Sequence, residues 1–333
     1  MKKKIAIIIM MTCCIAMTGC TASDKAEMIT SESAAREENQ FSSQIDQATT
    51  EAAYSWGIAN YDKEKRTITY DGNGLELEIE IDNMQAACEI GFMVFIDGIA
   101  QPYRLEEDTA EAYIHPIELE ESTKKTVLLT LEPEFAIAGN EHEMYIASMY
   151  GPSYRVTEEN AGYGNYESIL PCLPWKIKYA ARDHADCTDD QVQYTDLPDE
   201  VRKQYIIESS DGTTTNKLDT QLVTKYVQNG TIVENAKIDV SDDLTLQLYG
   251  GENQKYRICA MVDHCPVSVF GGKAYCDVVV ESGRMAEVTV GFQELSEIQN
   301  YSPLYFVLCP IDETGYRDNL LIDKTSSAYF VRE

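Results

Sequence analysis

Positive charge is scarce in this chain. Its 333 residues hold 27 Lys and Arg against 56 Asp and Glu, a formal net charge of −29. That deficit excludes a nucleic-acid binder, which needs a basic footprint for phosphate. Proline (10) and glycine (19) are too few for a collagen-like or low-complexity chain, and 44% hydrophobic residues is ordinary globular content. There is no C-x-x-C pair, which removes the thioredoxin-type motif and the zinc ribbon. The nucleophile elbow, the P-loop and the dinucleotide fingerprint are missing too. Histidine occurs four times, and His142-Glu143 has no second histidine at the spacing of a zinc protease. His184 lies among Asp183, Asp186, Cys187, Asp189 and Asp190 but fits no compact ligand loop, so no metal or cofactor is assigned.

No apolar run is long enough to span a bilayer, which takes about 20 helical residues. The longest, Ile5 to Met17, follows Lys2-Lys3-Lys4 and has the length of a secretory h-region. It ends in Met17-Thr18-Gly19-Cys20, which resembles the lipobox of bacterial lipoproteins. The resemblance implies that residues 1–19 are a signal peptide and that Cys20 carries a diacylglyceryl anchor to the bilayer. It also implies an extracytoplasmic location on the bacterial cell membrane. Tether and β-domains add a general likeness to surface lipoproteins of clostridial-type bacteria. Loss of residues 1–19 removes three lysines and no acids, leaving 24 basic against 56 acidic residues, a net charge of −32.

Residues 20–53 hold seven acids, two bases and hardly any large apolar side chain. Such a stretch cannot bury enough surface to offset its ordering entropy, so it reads as a tether with a reach of about 30 Å. From Trp56 onward the pattern changes to period two. Leu75, Leu77, Ile79 and Ile81 alternate with Glu76, Glu78 and Glu80, a strand with one buried face. Further strands are expected at 91–96, 112–119, 126–131 and 143–149, with no long helical period between them. The chain is therefore read as mainly β, with two tandem immunoglobulin-like antiparallel β-sandwiches over 54–157 and 216–333. An irregular connector, 158–215, joins them and carries a short helix from Pro198 through Ile207.

The second half echoes the first. Gly91 to Asp97 matches Arg257 to Asp263, Leu75 matches Leu244, and 126–131 matches 285–290. Tyr145 and Tyr154-Arg155 match Tyr305 and Tyr316-Arg317. Order is kept while offsets drift between 159 and 169, as loops of changing length would produce.

Seven cysteines follow the lipobox, an odd number that cannot pair completely. Cys88, Cys259, Cys276 and Cys309 sit in apolar strand patterns and read as buried thiols. Cys172–Cys187, within the irregular segment, is the pair best placed for a disulfide. Tyrosine is the compositional outlier, with 21 against 8 Phe and 2 Trp. Tyr150, Tyr154, Tyr163, Tyr166 and Trp175 crowd into one stretch with several glycines and prolines. Such rings present large area at low rotamer cost, so these five are the candidate binding residues, with sugar stacking as one use. Packing of the connector onto the first sandwich is the other reading of the same rings. No catalytic residue is assigned. The leading function is binding or scaffolding at the cell surface, with a glycan, envelope or protein partner. A cell-envelope or glycan hydrolase using a carboxylate pair is the alternative.

Overall fold

The computed structural model describes residues 53–331, apart from 109, 134, 137–138, 159–161, 184–185, 209–212, 234–235, 252, 294, 296–297 and 312–320. Cys20, the tether and His184 lie outside the described residues. The chain is built almost wholly of strands, with one α-helix, Asp199–Gln204, among the described residues.

In the first sandwich the alternation of Leu75–Asn83 is realised as read: Leu75, Leu77, Ile79 and Ile81 are buried while Glu76, Glu78 and Glu80 are exposed. This strand lies between Tyr54–Ile58 and Lys124–Leu131, antiparallel to both. The facing sheet has His142–Tyr150 at its centre, antiparallel to Cys88–Ile96 on one side and Trp175–Lys178 on the other. A short strand, Thr67–Thr69, closes that edge by parallel pairing with Trp175–Lys178. Of the expected strand at 112–119 only Ile117–Leu119 forms. His115, just before it, bonds instead to Tyr103 through both its amide and its ring, so the ladder is broken ahead of Pro116.

The second sandwich repeats the plan. Leu222–Gln228, Leu244–Gly250, Arg284–Val290 and Val192–Asp196 form one sheet in that order. Tyr275–Val280, Gln254–Val262, Pro303–Pro310 and Ala328–Val331 form the other, closed by parallel pairing with Lys237–Asp239. In both halves the second strand of the hairpin-linked pair crosses to the other sheet. Leu75–Asn83 pairs with Lys124–Leu131 and Cys88–Ile96 with His142–Tyr150, as Leu244–Gly250 pairs with Arg284–Val290 and Gln254–Val262 with Pro303–Pro310, the arrangement of an immunoglobulin-type sandwich. Register agrees with the internal match in the long strands, while Tyr316 and Arg317 lie outside the described residues. Leu75 stands opposite Leu131 as Leu244 stands opposite Val290, and Ile96 opposite Met144 as Val262 opposite Leu304.

The segment 158–215, read as connector, is shared between the halves. Trp175–Lys178 completes the first sandwich and Val192–Asp196 the second. Its helix starts after Pro198 with Asp199 and Glu200 in the first turn, where acids complement the helix dipole. It stops at Gln204 rather than Ile207, because Ile206–Glu208 pairs with Thr214–Asn216 as a hairpin.

The two sandwiches share a third core. Cys88–Ile96 and His142–Tyr150 are buried on both faces, not one. Their outer residues Met93, Phe95, Tyr145, Ala147 and Met149 pack against Cys259, Met261, Tyr305, Val307 and Cys309 of the second half. A fully buried side chain of this size contributes about 1.5–3 kcal/mol. Such a layer unites the described residues in one compact unit.

Cys172 and Cys187 form no disulfide. Cys172 packs against the first sandwich core and Cys187 against the shared core, so their proximity in the chain does not carry into space. All seven described cysteines are free thiols. Burial pushes Cys172 up to about 11 and Cys276 up to about 12, which keeps both thiols protonated and unreactive.

Candidate functional site

The stretch after His142–Tyr150 leaves the first sandwich and lies on the second. Gly151 makes the turn with φ 57°, and a Cβ there would stand 2.5 Å from the ring of Tyr166. Only glycine lets that ring fold back over the backbone. The result is a ladder of rings. Tyr154 and Tyr166 stack at 3.9 Å with 4° between planes, and Tyr166 stacks in turn on Tyr150 at 5.5 Å. Tyr163 meets Tyr154 edge-on at 5.7 Å.

The five candidate rings divide. Tyr166 is 42% exposed, and Tyr150 and Tyr154 are half-buried. Tyr163 is buried in the core of the second sandwich. Trp175 is buried in the core of the first, edge-on to Tyr61, and takes no part in the ladder. Its strand position, invisible in a count of aromatic residues, separates it from the others.

Beneath the ladder lies a polar network that the sequence reading missed. Glu167 is 1% exposed, and its backbone amide donates to the Tyr150 carbonyl at 2.7 Å. The Ser327 hydroxyl donates to its Oε2. Its Oε1 has no hydrogen-bond donor and lies 4.0 Å from Arg155 and 3.9 Å from Nε2 of His264. Lys324 donates to the Ser327 hydroxyl at 2.7 Å and sits 4.2 Å over the Tyr305 ring, a cation–π contact. Arg155 thus belongs to the first half, Glu167 to the segment between the halves, and His264, Lys324 and Ser327 to the second.

Burial raises the Glu167 carboxyl above its usual range, even against the charges of Lys324 and Arg155. Burial likewise lowers Lys324 to about 8 and His264 to about 4. His264 Nε2–H donates to the Pro152 carbonyl at 2.7 Å, and Nδ1 lies 3.0 Å from the Tyr305 hydroxyl, a group able to donate to a neutral ring. Its neighbour Cys265, the first residue after the turn, is exposed.

A second buried histidine has the opposite state. His142 Nδ1 is 2.8 Å from Asp97 Oδ2, and its Nε2 is 3.1 Å from the Tyr179 carbonyl. Both partners only accept, so both ring nitrogens must carry protons. Burial opposes this charge, but the Asp97 carboxylate and the carbonyl outweigh it and raise the pKa.

Beside the ladder an open depression of about 350 Å³ is walled by Arg155 and Thr157 from the first half, and by Asp263, Asn300, Tyr301 and Ser302 from the second. Arg155 Nη1 donates to the Pro152 and Tyr154 carbonyls at 2.9 Å each, and Nη2 lies 3.6 Å from Asp263 Oδ1. No group of three or more His, Cys, Asp or Glu among the described residues is placed to hold a metal ion. No helix among them is long and apolar enough to cross a membrane.

No protein-family model and no curated protein matches this sequence. Solved structures with distant likeness include the periplasmic chaperone SfaE, 9% identical over 84% of this chain and all of that one, at a TM-score of 0.23. The Salmonella enterica SafA pilin–SafB chaperone complex gives 10% identity over 84% of this chain and 96% of that one, at 0.23. CBD12 from CALX1.2 gives 7% over 76% and 78%, at 0.21.

Proposed function

We propose that the chain is a lipoprotein anchored to the cell membrane through Cys20, and that its two sandwiches form a binding or scaffolding module outside the cytoplasm. The observation that carries the binding reading is the tyrosine ladder. Tyr166 is 42% exposed and is held between the stacked rings of Tyr154 and Tyr150, so contact with a partner through its exposed part loses little side-chain entropy. A glycan or other envelope component is the partner this surface favours, because a flat ring with a hydroxyl edge suits a sugar face. The alternative, hydrolysis by a carboxylate pair, would draw on Glu167 and Asp263 beside Arg155. Glu167, at 1% exposure, is shut away from any substrate in this arrangement.

Two experiments test the reading. Cys20→Ser should move the protein from the membrane fraction into the medium or leave it uncleaved; a processed, detergent-dependent membrane species would refute the anchor. Tyr166→Ala should abolish retention of the intact chain on purified cell envelope without changing its melting temperature. Unchanged retention would remove the ladder as the contact surface.

A further inference from the structure

We infer that the depression between Arg155 and Asp263 is the polar half of a saccharide site, and that its ligand is a neutral, hydroxyl-rich ring. The inference rests on the binding reading above and adds the ligand's charge and the residues that select it.

Charge decides the class. An anion entering the depression meets the Asp263 carboxylate, with Glu167 4.0 Å behind Arg155. A cation meets the Arg155 guanidinium. A neutral ligand with hydroxyls meets neither penalty. One hydroxyl can accept from Arg155 Nη2 and donate to Asp263 Oδ1, which lie 3.6 Å apart. Both groups are part exposed, 38% and 45% at the side chain, so both remain open to solvent and ligand.

The pair is also held ready. Two backbone carbonyls fix Arg155 Nη1, and Ser302 donates to Asp263 Oδ2 at 2.5 Å, which leaves Nη2 and Oδ1 for the ligand. Asp263 and His264 form the turn with φ 47° and 65°, and Tyr301 across the depression has φ 68°. Left-handed backbone at a tyrosine is uncommon and concentrates at ligand sites. The buried Tyr163 hydroxyl, within the field of both Arg155 and Asp263, has no hydrogen-bond partner. It is a second polar group behind the wall whose bonding is incomplete. The ring in the lining itself is Tyr301, and the ladder begins one residue from the wall, where Tyr154 adjoins Arg155 in the chain and stacks on Tyr166. A volume of about 350 Å³ lies at the small end of ligand sites, about 300–1,000 Å³.

The test is calorimetric titration of the intact chain with neutral hexose and N-acetylhexosamine oligosaccharides, with their uronic acid counterparts, and with spermine. A neutral oligosaccharide should bind. Asp263→Asn, which tolerates the left-handed turn, and Asn300→Ala should each weaken it at least tenfold with unchanged melting temperature. Tighter binding of uronic acids or of spermine would overturn the inference. Neutral binding that survives both substitutions but is lost in Tyr166→Ala would also overturn it, while leaving the ladder as the contact surface. So would retention on cell envelope with no saccharide bound. Loss of envelope retention altogether would remove the binding reading itself.

Discussion

Asp97 and Asp263 occupy the same turn in the two sandwiches, with φ 49° and 47°, and each reaches the same point at the start of a facing strand. Asp97 finds His142 there, and Asp263 finds Ser302. Each amide also bonds across to the facing strand, Asp97 to the Glu143 carbonyl and Asp263 to that of Pro303. The repeat has kept the carboxylate and changed its partner, from an imidazolium to a hydroxyl.

A pH dependence follows from His142. Its folded pKa is raised, so its contribution is complete below the unfolded value of about 6.5 and is lost as pH rises through the folded pKa. Asp97→Asn should therefore destabilise the protein most at low pH, with the gap to wild type narrowing above neutrality. Chemical denaturation between pH 5.5 and 9 measures this. A gap independent of pH would mean that His142 is neutral.

His264 acts in the other direction. Its folded value is about 4 against about 6.5 unfolded, so its contribution is present above 6.5 and lost as pH falls toward 4, on the order of 3 kcal/mol in all. Glu167 opposes this, because its raised pKa lets the folded state take up a proton more readily. Comparison of wild type with His264→Gln isolates the histidine. The variant should lose less stability between pH 6.5 and 4, and parallel curves would contradict the neutral assignment.

Glu167→Ala should cost about 1–3 kcal/mol, since it leaves the Ser327 hydroxyl without its acceptor and Lys324 with Asp323 as the remaining counter-charge. Glu167→Gln keeps the size and an acceptor for Ser327 and should cost less. Equal, small losses in thermal melts would show that the network contributes little.

The aromatic substitutions should separate cleanly. Trp175→Ala removes a core ring and should cost about 3–5 kcal/mol. Tyr166→Ala removes an exposed one and should stay within about 0.5 kcal/mol. Comparable losses would place Tyr166 in the core.

Fragment boundaries give a last check. A fragment ending at 157 lacks Trp175–Lys178, and with it the parallel partner of Thr67–Thr69. It should melt broadly, whereas one ending at 179 should melt cooperatively but self-associate through Phe95 and Tyr145. Sharp, monomeric melting of the shorter fragment would show that this strand is dispensable.

The sandwich architecture was legible because its signal is local. Leu75–Asn83 announces a half-buried strand through its own alternation, and Asp97 and Asp263 mark matching turns by matching residues. What was hidden depends on contacts across the whole chain. Glu167 looks like one more acid in a glycine- and tyrosine-rich stretch, and its partner Ser327 is 160 positions away. Trp175 looked like part of the aromatic cluster because period-two patterning is weak over a four-residue strand. Cys88–Ile96 did carry a clue in its nearly unbroken apolar run, the pattern of a strand buried on both faces.

Gene duplication ordinarily frees one copy to drift while the other keeps its task. Here the shared core withdraws that freedom from part of each copy. Phe95 and Tyr145 can change only as far as Met261 and Tyr305 can follow, because a volume misfit in either half is felt in the other. Divergence is thereby directed to the positions outside the layer, the turns and the long loop after Tyr150. Those are the places where a new specificity can arise without loosening the join.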